Sequence, residues 1–474
     1  MSTAANNGFK SSLSLMDATM LVAGSMIGSG IFIVSADIAR NTGGAGWLMA
    51  VWLITGFMTL TAALSYGELS AMFPKAGGQY IYLREAYNPL VSFVFGWTFF
   101  TVIQTATIAA VGVAFAKFTA YLLPALDEDV IVMDLSFLQI SSAQLVSIVV
   151  ILLLTVVNTW GVNSGKAVQT SITVVKIVSL LGLVLFGFFA FNSDVWRANW
   201  LTADAWNLRR LNSDGSLANY TMFAALGAIA AGMVGAIFSS DSWHASSSVA
   251  GEIKNPGRNV GLSLALGTII VTIVYLLTNL MYTGVLTMEQ MAASDKDRVA
   301  MTAAQEIFGP IGITIIAIMI MVSTFGCNNG LILAGARVYY SMAQDGLFFR
   351  KVGQLNRSSV PAVALWLQCI IASLWCLSGK YGDLLDMISS VVVIFYVLCI
   401  IGIFRLRKSR PEAPRPYKAF GYPILPLVYI CMGSAFIILM VVYKPNYTWP
   451  GIIIALLGIP VYYLIRKKAM PVNS

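Results

Sequence analysis

The chain has 474 residues, of which 58% are apolar and only 11% are charged, and its mean hydropathy is +0.79. Soluble globular domains carry about 25% charged residues, so this composition excludes the globular, disordered and fibrous classes. A helix that crosses the hydrocarbon core needs roughly 20 apolar residues. The composition therefore predicts an all-α integral membrane protein with no sizeable soluble domain.

The apolar residues fall into twelve segments, which we number spans 1 to 12. They predict about 12 transmembrane helices in a single membrane domain that covers residues 1–474. Two of the connecting loops, 193–220 and 288–308, are longer than the rest. The predicted spans are 15–40, 46–72, 89–123, 142–161, 167–192, 221–249, 260–287, 309–340, 361–379, 384–404, 423–443 and 450–466.

The distribution of lysine and arginine predicts the orientation of these spans. An even number of spans puts both tails, residues 1–14 and 467–474, on the same side. That side collects 19 lysines and arginines and the other side collects 8. Positive charge is concentrated in cytoplasmic loops, so both tails are predicted to be cytoplasmic. Counted in this way, the net charge of +8 gives no reason to expect nucleic-acid binding.

The polar residues give little support for catalysis. The five cysteines lie in or near apolar segments without the spacing of a metal site, and the chain has a single histidine. The sequence therefore predicts a protein that is not an enzyme and that carries no metal or cofactor.

Span 1 contains an unusual run of small residues, GSMIGSGIF at 24–32. One interpretation is a packing groove, because Gly24 and Gly28 form a G-x-x-x-G pair that admits a neighbouring helix. The other is a true break at residues 28–30, which would free backbone groups in the membrane. Such backbone is tolerated only where it lines a cavity or a site.

Span 6 favours the second interpretation. Its apolar run continues into FSSDSWHASSS at 238–248, and a charged group at mid-span costs at least about 2.5 kcal/mol. Spans 1 and 6 lie five spans apart, as expected if residues 15–192 and 221–404 are two inverted repeats and residues 423–466 add two helices.

Two broken helices side by side predict a specific ligand chemistry. The N-terminus of a half-helix attracts an anion, and the carbonyls at a half-helix C-terminus attract a cation. The combination fits the carboxylate and the ammonium of an α-amino acid.

Four separated motifs carry a family resemblance. They are GSMIGSGIF at 24–32, FPKAGGQYIYLRE at 73–85, EIKNPGRN at 252–259, and RPEAPRPYK at 410–418 followed by GYP at 421–423. Together they resemble the amino acid–polyamine–organocation (APC) superfamily, and within it the L-type amino acid transporter (LAT) family. The resemblance implies a LeuT-like fold, with ten helices in a 5+5 inverted repeat and two extra helices.

The resemblance also implies a substrate site at the two breaks. The amides around Ser29 and Gly30 would hold the substrate carboxylate. Carbonyls near Met26, Phe238 and Asp241 would receive its amino group. Phe238 matches the aromatic gate that closes over the substrate, although its residue type alone fits a plain core aromatic. The full implied set is Met26, Ile27, Gly28, Ser29, Gly30, Phe238, Ser239, Asp241 and His244.

Lys176 in span 5 is a charged residue about ten residues, or about 15 Å, from the predicted cytoplasmic end. The simplest interpretation is a snorkelling lysine, but this depth is large for that. In sodium-independent relatives, a lysine at the matching position takes the place of a sodium ion between spans 1, 5 and 8. Ser323 and Thr324 match the positions in span 8. The resemblance thus implies sodium-independent transport.

The chain also departs from the family pattern. The family usually has an aromatic residue at Ser240, glycine at Ser242 and asparagine at His244, and often glycine at Asp241. On a continuous helix, Asp241 and His244 would be neighbours, either as a structural pair or as proton-handling groups. Animal members bind a heavy chain through a cysteine in the loop after span 3, whereas residues 122–141 contain none. This excludes a heavy chain linked by that disulfide.

The sequence therefore predicts a sodium-independent amino acid transporter in the inner membrane of a bacterium. It would work by alternating access, either as an exchanger or with proton coupling. A non-transporting amino-acid sensor on the same fold is the alternative, and the short tails disfavour it. A membrane enzyme is the third option and has the weakest support.

Overall fold

A computed structural model describes residues 13–74, 77–135, 138–160, 165–211, 216–358, 360–378 and 381–469. Most of each predicted tail, and the predicted cytoplasmic Lys10 and Lys75, lie outside these residues. Among the described residues, nine helices are long and apolar enough to cross a membrane, and span 5 with its bent extension makes a tenth. Two shorter apolar helices stand at the predicted positions of spans 1 and 9.

The helices follow the predicted order of twelve spans. Span 1 is divided into Leu15–Met26, a 3₁₀ turn Gly30–Phe32 and Ser35–Thr42, and span 3 into Pro89–Thr98, a π turn Phe99–Ile103 and Gln104–Leu122. The other spans are Ala45–Met72, Ser142–Trp160, Gly165–Phe189, Met222–Ser239, Pro256–Val285, Val299–Gln344, Ala362–Ser378, Tyr381–Ser409, Ile424–Tyr443 and Pro445–Ala469.

Short elements fill the connections. The helices among them are Gln79–Ala86, Ser193–Trp200, Ala245–Ser248 and Met288–Ala292, and the 3₁₀ turns are Pro124–Leu126, Ala203–Trp206, Ala250–Glu252, Asp295–Asp297 and Arg350–Gly353. Two antiparallel hairpins pair Ile131–Leu135 with Leu138–Ser141 and Arg209–Leu211 with Leu217–Asn219. These hairpins were not predicted, because the helical pattern of the sequence says little about short external loops.

Two predicted boundaries differ from the helices by ten residues. Span 6 was predicted to run through residue 249, but its helix ends at Ser239 because the polar run that follows adopts turns. Span 8 was predicted to begin at residue 309, but the helix Val299–Gln344 begins ten residues earlier and bends at Gly309, where φ is +70°. Pro310 lies directly after this bend and cannot donate a backbone hydrogen bond.

The spans pack so that the two interrupted helices lie at the centre. Span 2 and the first half of span 1 pack along span 7, and span 3 packs along span 8. The second half of span 1 packs against span 6. Spans 11 and 12 lie outside this group and pack against span 10. The breaks in spans 1 and 6 are therefore enclosed by spans 3, 7, 8 and 10.

Ion pairs tie the elements together on the face predicted to be external. Asp297 lies 2.6 Å from the guanidinium of Arg40, at the end of span 1, and 3.6 Å from the ammonium of Lys117 in span 3. Lys296 pairs with Asp127 and with Asp129, which it meets at 2.7 Å. Burial on its own would raise the pKa of the Asp127 carboxyl, but the hydrogen bond and charge of Lys296, together with backbone hydrogen bonds from Glu128 and Asp129, outweigh it and lower that pKa.

An interfacial helix on the same face holds the end of span 7. Helix Ser193–Trp200 turns by 98° away from span 5. Its Asn199 is 5% exposed, and its amide donates to the carbonyls of Thr283 and Leu286 at 2.8 Å each. The amide oxygen of Asn199 accepts from the N–H of Met288 at 3.1 Å. One side chain thus satisfies the backbone where span 7 ends and the next helix begins.

On the opposite face, Glu68 of span 2 is a buried anchor with 1% exposure. Its two carboxylate oxygens accept from the guanidinium of Arg407 at 3.0 and 2.6 Å, and Arg415 lies 3.3 Å away. The N–H of Ala419 donates to the same carboxylate at 2.8 Å. Glu68 therefore fastens span 2 to the end of span 10 and to the loop that follows it.

We expect Glu68→Gln to lower the free energy of unfolding by roughly 3 kcal/mol, because two guanidinium groups lose their counter-charge at a buried site. Thermal unfolding of the purified protein measures the effect. The matched control is Glu85→Gln, since Glu85 meets Arg410 at 2.9 Å in a more exposed pair, where about 0–1 kcal/mol is at stake. Equal losses in the two variants would contradict the anchoring role of Glu68.

Candidate functional site

The first half-helix of span 1 ends at Met26. Ile27 has extended backbone angles (φ −70°, ψ 100°), and helical structure resumes only with the turn that begins at Gly30. The interruption thus covers residues 27–29, in the run where the sequence suggested a break. The alternative of a continuous helix with a packing groove is wrong. Within the described part of the chain, the N–H groups of Ser29 and Gly30 have no hydrogen-bond partner.

The glycines at this break differ in how closely they are packed. A Cβ atom on Gly30 would lie 2.0 Å from Oγ and 3.1 Å from Cα of Ser239, so span 6 touches the backbone of span 1 here. A Cβ atom on Gly28 would meet the sulfur of Cys327 at 3.6 Å, an ordinary contact distance. Gly30 is therefore required by the approach of span 6, whereas Gly28 has room for a methyl group.

Span 6 is interrupted directly after Ser239. Residues 240–244 form turns, and Ser242 has φ +63°, in the left-handed region that favours glycine. This is the position at which the family usually has glycine. Because the segment is not helical, Asp241 and His244 are not neighbours on a helix face, as they would be on a continuous one. Asp241 accepts a hydrogen bond from Tyr396, and the ring of His244 lies 5.7 Å from the ring of Tyr396.

Tyr275 of span 7 joins the two breaks. Its hydroxyl is directed at the carbonyl oxygens of Met26 at 3.0 Å and Ser239 at 2.9 Å, the last helical residues before each interruption. The side chain is 1% exposed. Sequence analysis missed this residue. The available signal was a tyrosine in the middle of an apolar helix, whose hydroxyl needs a polar partner when buried.

A small cavity lies between the two interruptions. Seven of the nine predicted substrate residues line it, and Ile27 and His244 are not part of its lining. Spans 3 and 8 supply walls that the sequence did not predict, including Thr107, Val111 and Leu331. The predicted residues in the lining are Met26, Gly28, Ser29, Gly30, Phe238, Ser239 and Asp241.

Phe238 and Tyr381 stand together on the side of this cavity that faces the predicted external surface. Their ring centroids are 6.1 Å apart in an edge-on arrangement. The Tyr381 hydroxyl shares a hydrogen bond of 3.3 Å with the Ser29 hydroxyl, and the Lys117 ammonium lies 5.8 Å from the Tyr381 ring centre. Tyr381 was not predicted, because it begins span 10 and is remote in sequence from both breaks. Together, the two rings separate the cavity from the external ion pairs.

Lys176 is 2% exposed and its ammonium donates to the carbonyl of Gly24, in the last turn before the break in span 1. The snorkelling interpretation is wrong, because the side chain is directed at another helix. Ser323 and Thr324 are both buried in span 8. The Thr324 hydroxyl bonds to its own helix, whereas the Ser323 hydroxyl has no partner among the described residues.

The arrangement offers opposite polarities to a small ligand. The free N–H groups of Ser29 and Gly30 can donate to an anion. The carbonyls of Met26 and Phe238 each accept one hydrogen bond and keep a second lone pair that can accept from a cation. Enclosed sites of this kind, at broken helices in a bundle of spans, define a membrane transporter.

Comparison with known proteins identifies the family. The profile described as "Amino acid permease" matches residues 13–463, so the chain belongs to the amino acid permease family. The APC assignment and the LeuT-like fold, predicted from the four motifs, are thereby confirmed. The protein is an integral membrane transporter rather than an enzyme.

Individual relatives are similar over most of their length. The chain is 28% identical to the serine/threonine exchanger SteT of Bacillus subtilis, covering 98% of each chain. It is 27% identical to the human cystine/glutamate transporter, covering 96% of this chain and 85% of that one. It is 26% identical to the human b(0,+)-type amino acid transporter 1, covering 96% and 87%.

We expect Gly30→Ala to destabilise the protein by about 1–3 kcal/mol, because its Cβ atom forces span 6 away from span 1. Gly28→Ala adds the same methyl group two residues earlier without a clash and is the matched control. Thermal unfolding without added substrate separates packing from ligand binding. A melting temperature of Gly30→Ala equal to that of Gly28→Ala would contradict the close approach of Ser239.

Proposed function

We propose that the protein is a sodium-independent amino acid exchanger that works by alternating access. The substrate zwitterion is held at the interruptions of spans 1 and 6. Ser29 and Gly30 bind its carboxylate, and the carbonyls of Met26 and Phe238 receive its ammonium. The observation that supports sodium independence is the hydrogen bond from the buried Lys176 ammonium to the carbonyl of Gly24.

The physical argument rests on the carbonyl that Lys176 satisfies. A carbonyl freed near a helix break inside the membrane needs a hydrogen-bond donor or a cation. An ammonium provides both positive charge and N–H donors. A sodium ion at this position would compete with a charge that is covalently part of span 5. Span 8 packs along span 5, and Ser323 and Thr324 of span 8 are both buried.

Exchange, rather than proton-coupled uptake, is supported by the relatives. Two of them are named for paired substrates, serine/threonine and cystine/glutamate, and one of these is named an exchanger. The hydrogen bond from the Lys176 ammonium to the Gly24 carbonyl joins two groups of the protein itself, so we propose that no co-transported cation is needed at this position.

The proposal includes an orientation and an architecture. Residues 15–192 and 221–404 form the two inverted repeats, and residues 423–466 add the two outer helices. The protein lies in the cytoplasmic membrane of a bacterium with both tails in the cytoplasm, as the lysine and arginine count indicates. It needs no disulfide-linked heavy chain, because residues 122–141 contain no cysteine.

We expect counterflow of labelled amino acids in proteoliposomes to be unchanged when sodium is replaced by choline. Lys176→Ala should impair it, because the carbonyl of Gly24 loses its partner at a cost of roughly 1–3 kcal/mol. The matched control is Ser179→Ala, which removes a buried hydroxyl that bonds only to its own helix. Strict sodium dependence of the wild type would overturn the proposal. Counterflow that requires an inward proton gradient would instead indicate proton-coupled uptake.

We expect Phe238→Ala to retain substrate binding but to exchange about tenfold more slowly, because the ring that closes the cavity against Tyr381 is missing. Binding is measured by ligand-induced thermal stabilisation and exchange by counterflow. Phe223→Ala is the control, since Phe223 lies near the start of the same helix and is 75% exposed. An unchanged exchange rate in Phe238→Ala would show that this ring is an ordinary core residue.

A further inference from the structure

The loop between spans 8 and 9 carries positive charge that no acidic residue nearby in the sequence balances. Arg350, Lys351 and Arg357 are all exposed, and residues 346–382 contain no aspartate or glutamate. Among the residues that the structure describes, none of these three cations has an acidic partner. Their charges are therefore free to meet an anion that comes from outside the protein.

Unpaired charge alone does not distinguish this loop from the rest of the predicted cytoplasmic face. Arg84 is neutralised there by Asp345, at 2.6 Å. However, three further cations on this face are exposed and have no ion-pair partner in the described part of the chain. They are Lys254, Arg258 and Lys408.

Exposed apolar side chains beside the cations do distinguish the loop. Phe349 is 61% exposed and directly precedes Arg350, and Leu355 is 49% exposed and lies two residues before Arg357. A loop that joins two spans lies at the level of the lipid headgroups. Cations interleaved with large apolar side chains at this level are typical of a segment that binds anionic lipid.

The loop is packed firmly against spans 3 and 8. The ring centroid of Phe348 lies 5.2 Å from that of Phe100 in span 3 and 6.2 Å from that of Tyr339 in span 8. The amide of Gln344, at the end of span 8, donates to the carbonyl of Gly353 at 2.9 Å. The exposed side chains therefore project from a fixed support.

The end of span 4 extends the same surface. The amide of Asn356 donates to the carbonyl of Thr159 at 2.8 Å, and the next residue, Trp160, is 76% exposed. Tryptophan is enriched at the boundary between membrane and water. We refer to residues 349–357 together with Trp160 as the interfacial patch.

We propose that the interfacial patch binds anionic phospholipid of the cytoplasmic leaflet. The lipid phosphates lie on the three cations, and the acyl chains contact Phe349, Leu355 and Trp160. The choice of leaflet rests on the proposed orientation, whereas the binding itself does not depend on transport. Because spans 3 and 8 also supply walls of the substrate cavity, the lipid is attached to the part of the protein that forms those walls.

Thermal unfolding of the purified protein in detergent tests this binding without a transport step. We expect added phosphatidylglycerol to raise the melting temperature. Phosphatidylcholine with the same acyl chains should raise it less, because it carries no net charge. Inorganic phosphate at the same concentration should leave it unchanged, because it has no acyl chains. If either phosphatidylcholine or inorganic phosphate matched phosphatidylglycerol, the proposal would be overturned.

The decisive variant replaces the three cations of the patch together, as Arg350→Gln, Lys351→Gln and Arg357→Gln. We expect the phosphatidylglycerol concentration for half-maximal stabilisation to rise about tenfold or more, since each cation near an anionic surface contributes about fivefold. Each variant is compared with its own melting temperature without lipid, so a change in stability does not alter this measurement.

The matched control removes the same charge from the same face, as Lys254→Gln, Arg258→Gln and Lys408→Gln. It should keep the wild-type lipid concentration, because these positions lie outside the patch. An equal shift in both triple variants would assign the effect to the overall charge of the face and would overturn the patch.

The apolar part of the patch is tested by the double variant Phe349→Ser and Leu355→Ser, which keeps all three cations. We expect it to require about threefold or more phosphatidylglycerol, because the acyl chains lose two contacts. An unchanged requirement would show that charge alone binds the lipid. Since no transport is measured here, failure of lipid binding leaves the proposed function intact, and failure of counterflow leaves the patch intact.

Discussion

Backbone groups released inside the membrane need hydrogen-bond partners, and this requirement organises the centre of the molecule. Each break in span 1 or span 6 frees carbonyls that water cannot reach in the hydrocarbon region. The single Tyr275 hydroxyl is shared between one carbonyl from each break, and the Lys176 ammonium donates to a third carbonyl. Both residues come from helices that are not themselves broken at the site. Spans 5 and 7 therefore contribute to the proposed substrate site together with the interrupted helices.

The same rule explains the asymmetry between the two breaks. Span 1 resumes as a 3₁₀ turn and then as helix Ser35–Thr42, so its second half presents N–H groups to the cavity. Span 6 continues only as turns and the short helix Ala245–Ser248. Its polar side chains, rather than an ordered half-helix, then define that wall. The opposite polarities at the cavity thus arise from two different local structures.

The sequence was sufficient for the order of the spans and for the location of both interruptions. Hydropathy identifies helices, and glycine or acidic residues inside an apolar run identify breaks. The sequence was not sufficient to identify residues whose role depends on tertiary contacts. Tyr275, Tyr381 and Tyr396 all lie in unbroken spans, and the sequence does not show which polar group each hydroxyl meets. The neighbouring positions that Asp241 and His244 would have on a continuous helix do not apply, because the segment forms turns and Ser242 adopts a left-handed conformation there.

Asn199 has a consequence for how the external face moves. It binds the backbone on both sides of the junction between span 7 and helix Met288–Ala292, so this junction has no free hinge. That short helix packs against the second half of span 1, where Arg40 also donates to the carbonyl of Ala292 at 2.9 Å. The loop cannot lift away as an independent flap. If the proposed alternating access opens this face, we expect the interfacial helix, the end of span 7 and the loop to move together as a rigid body.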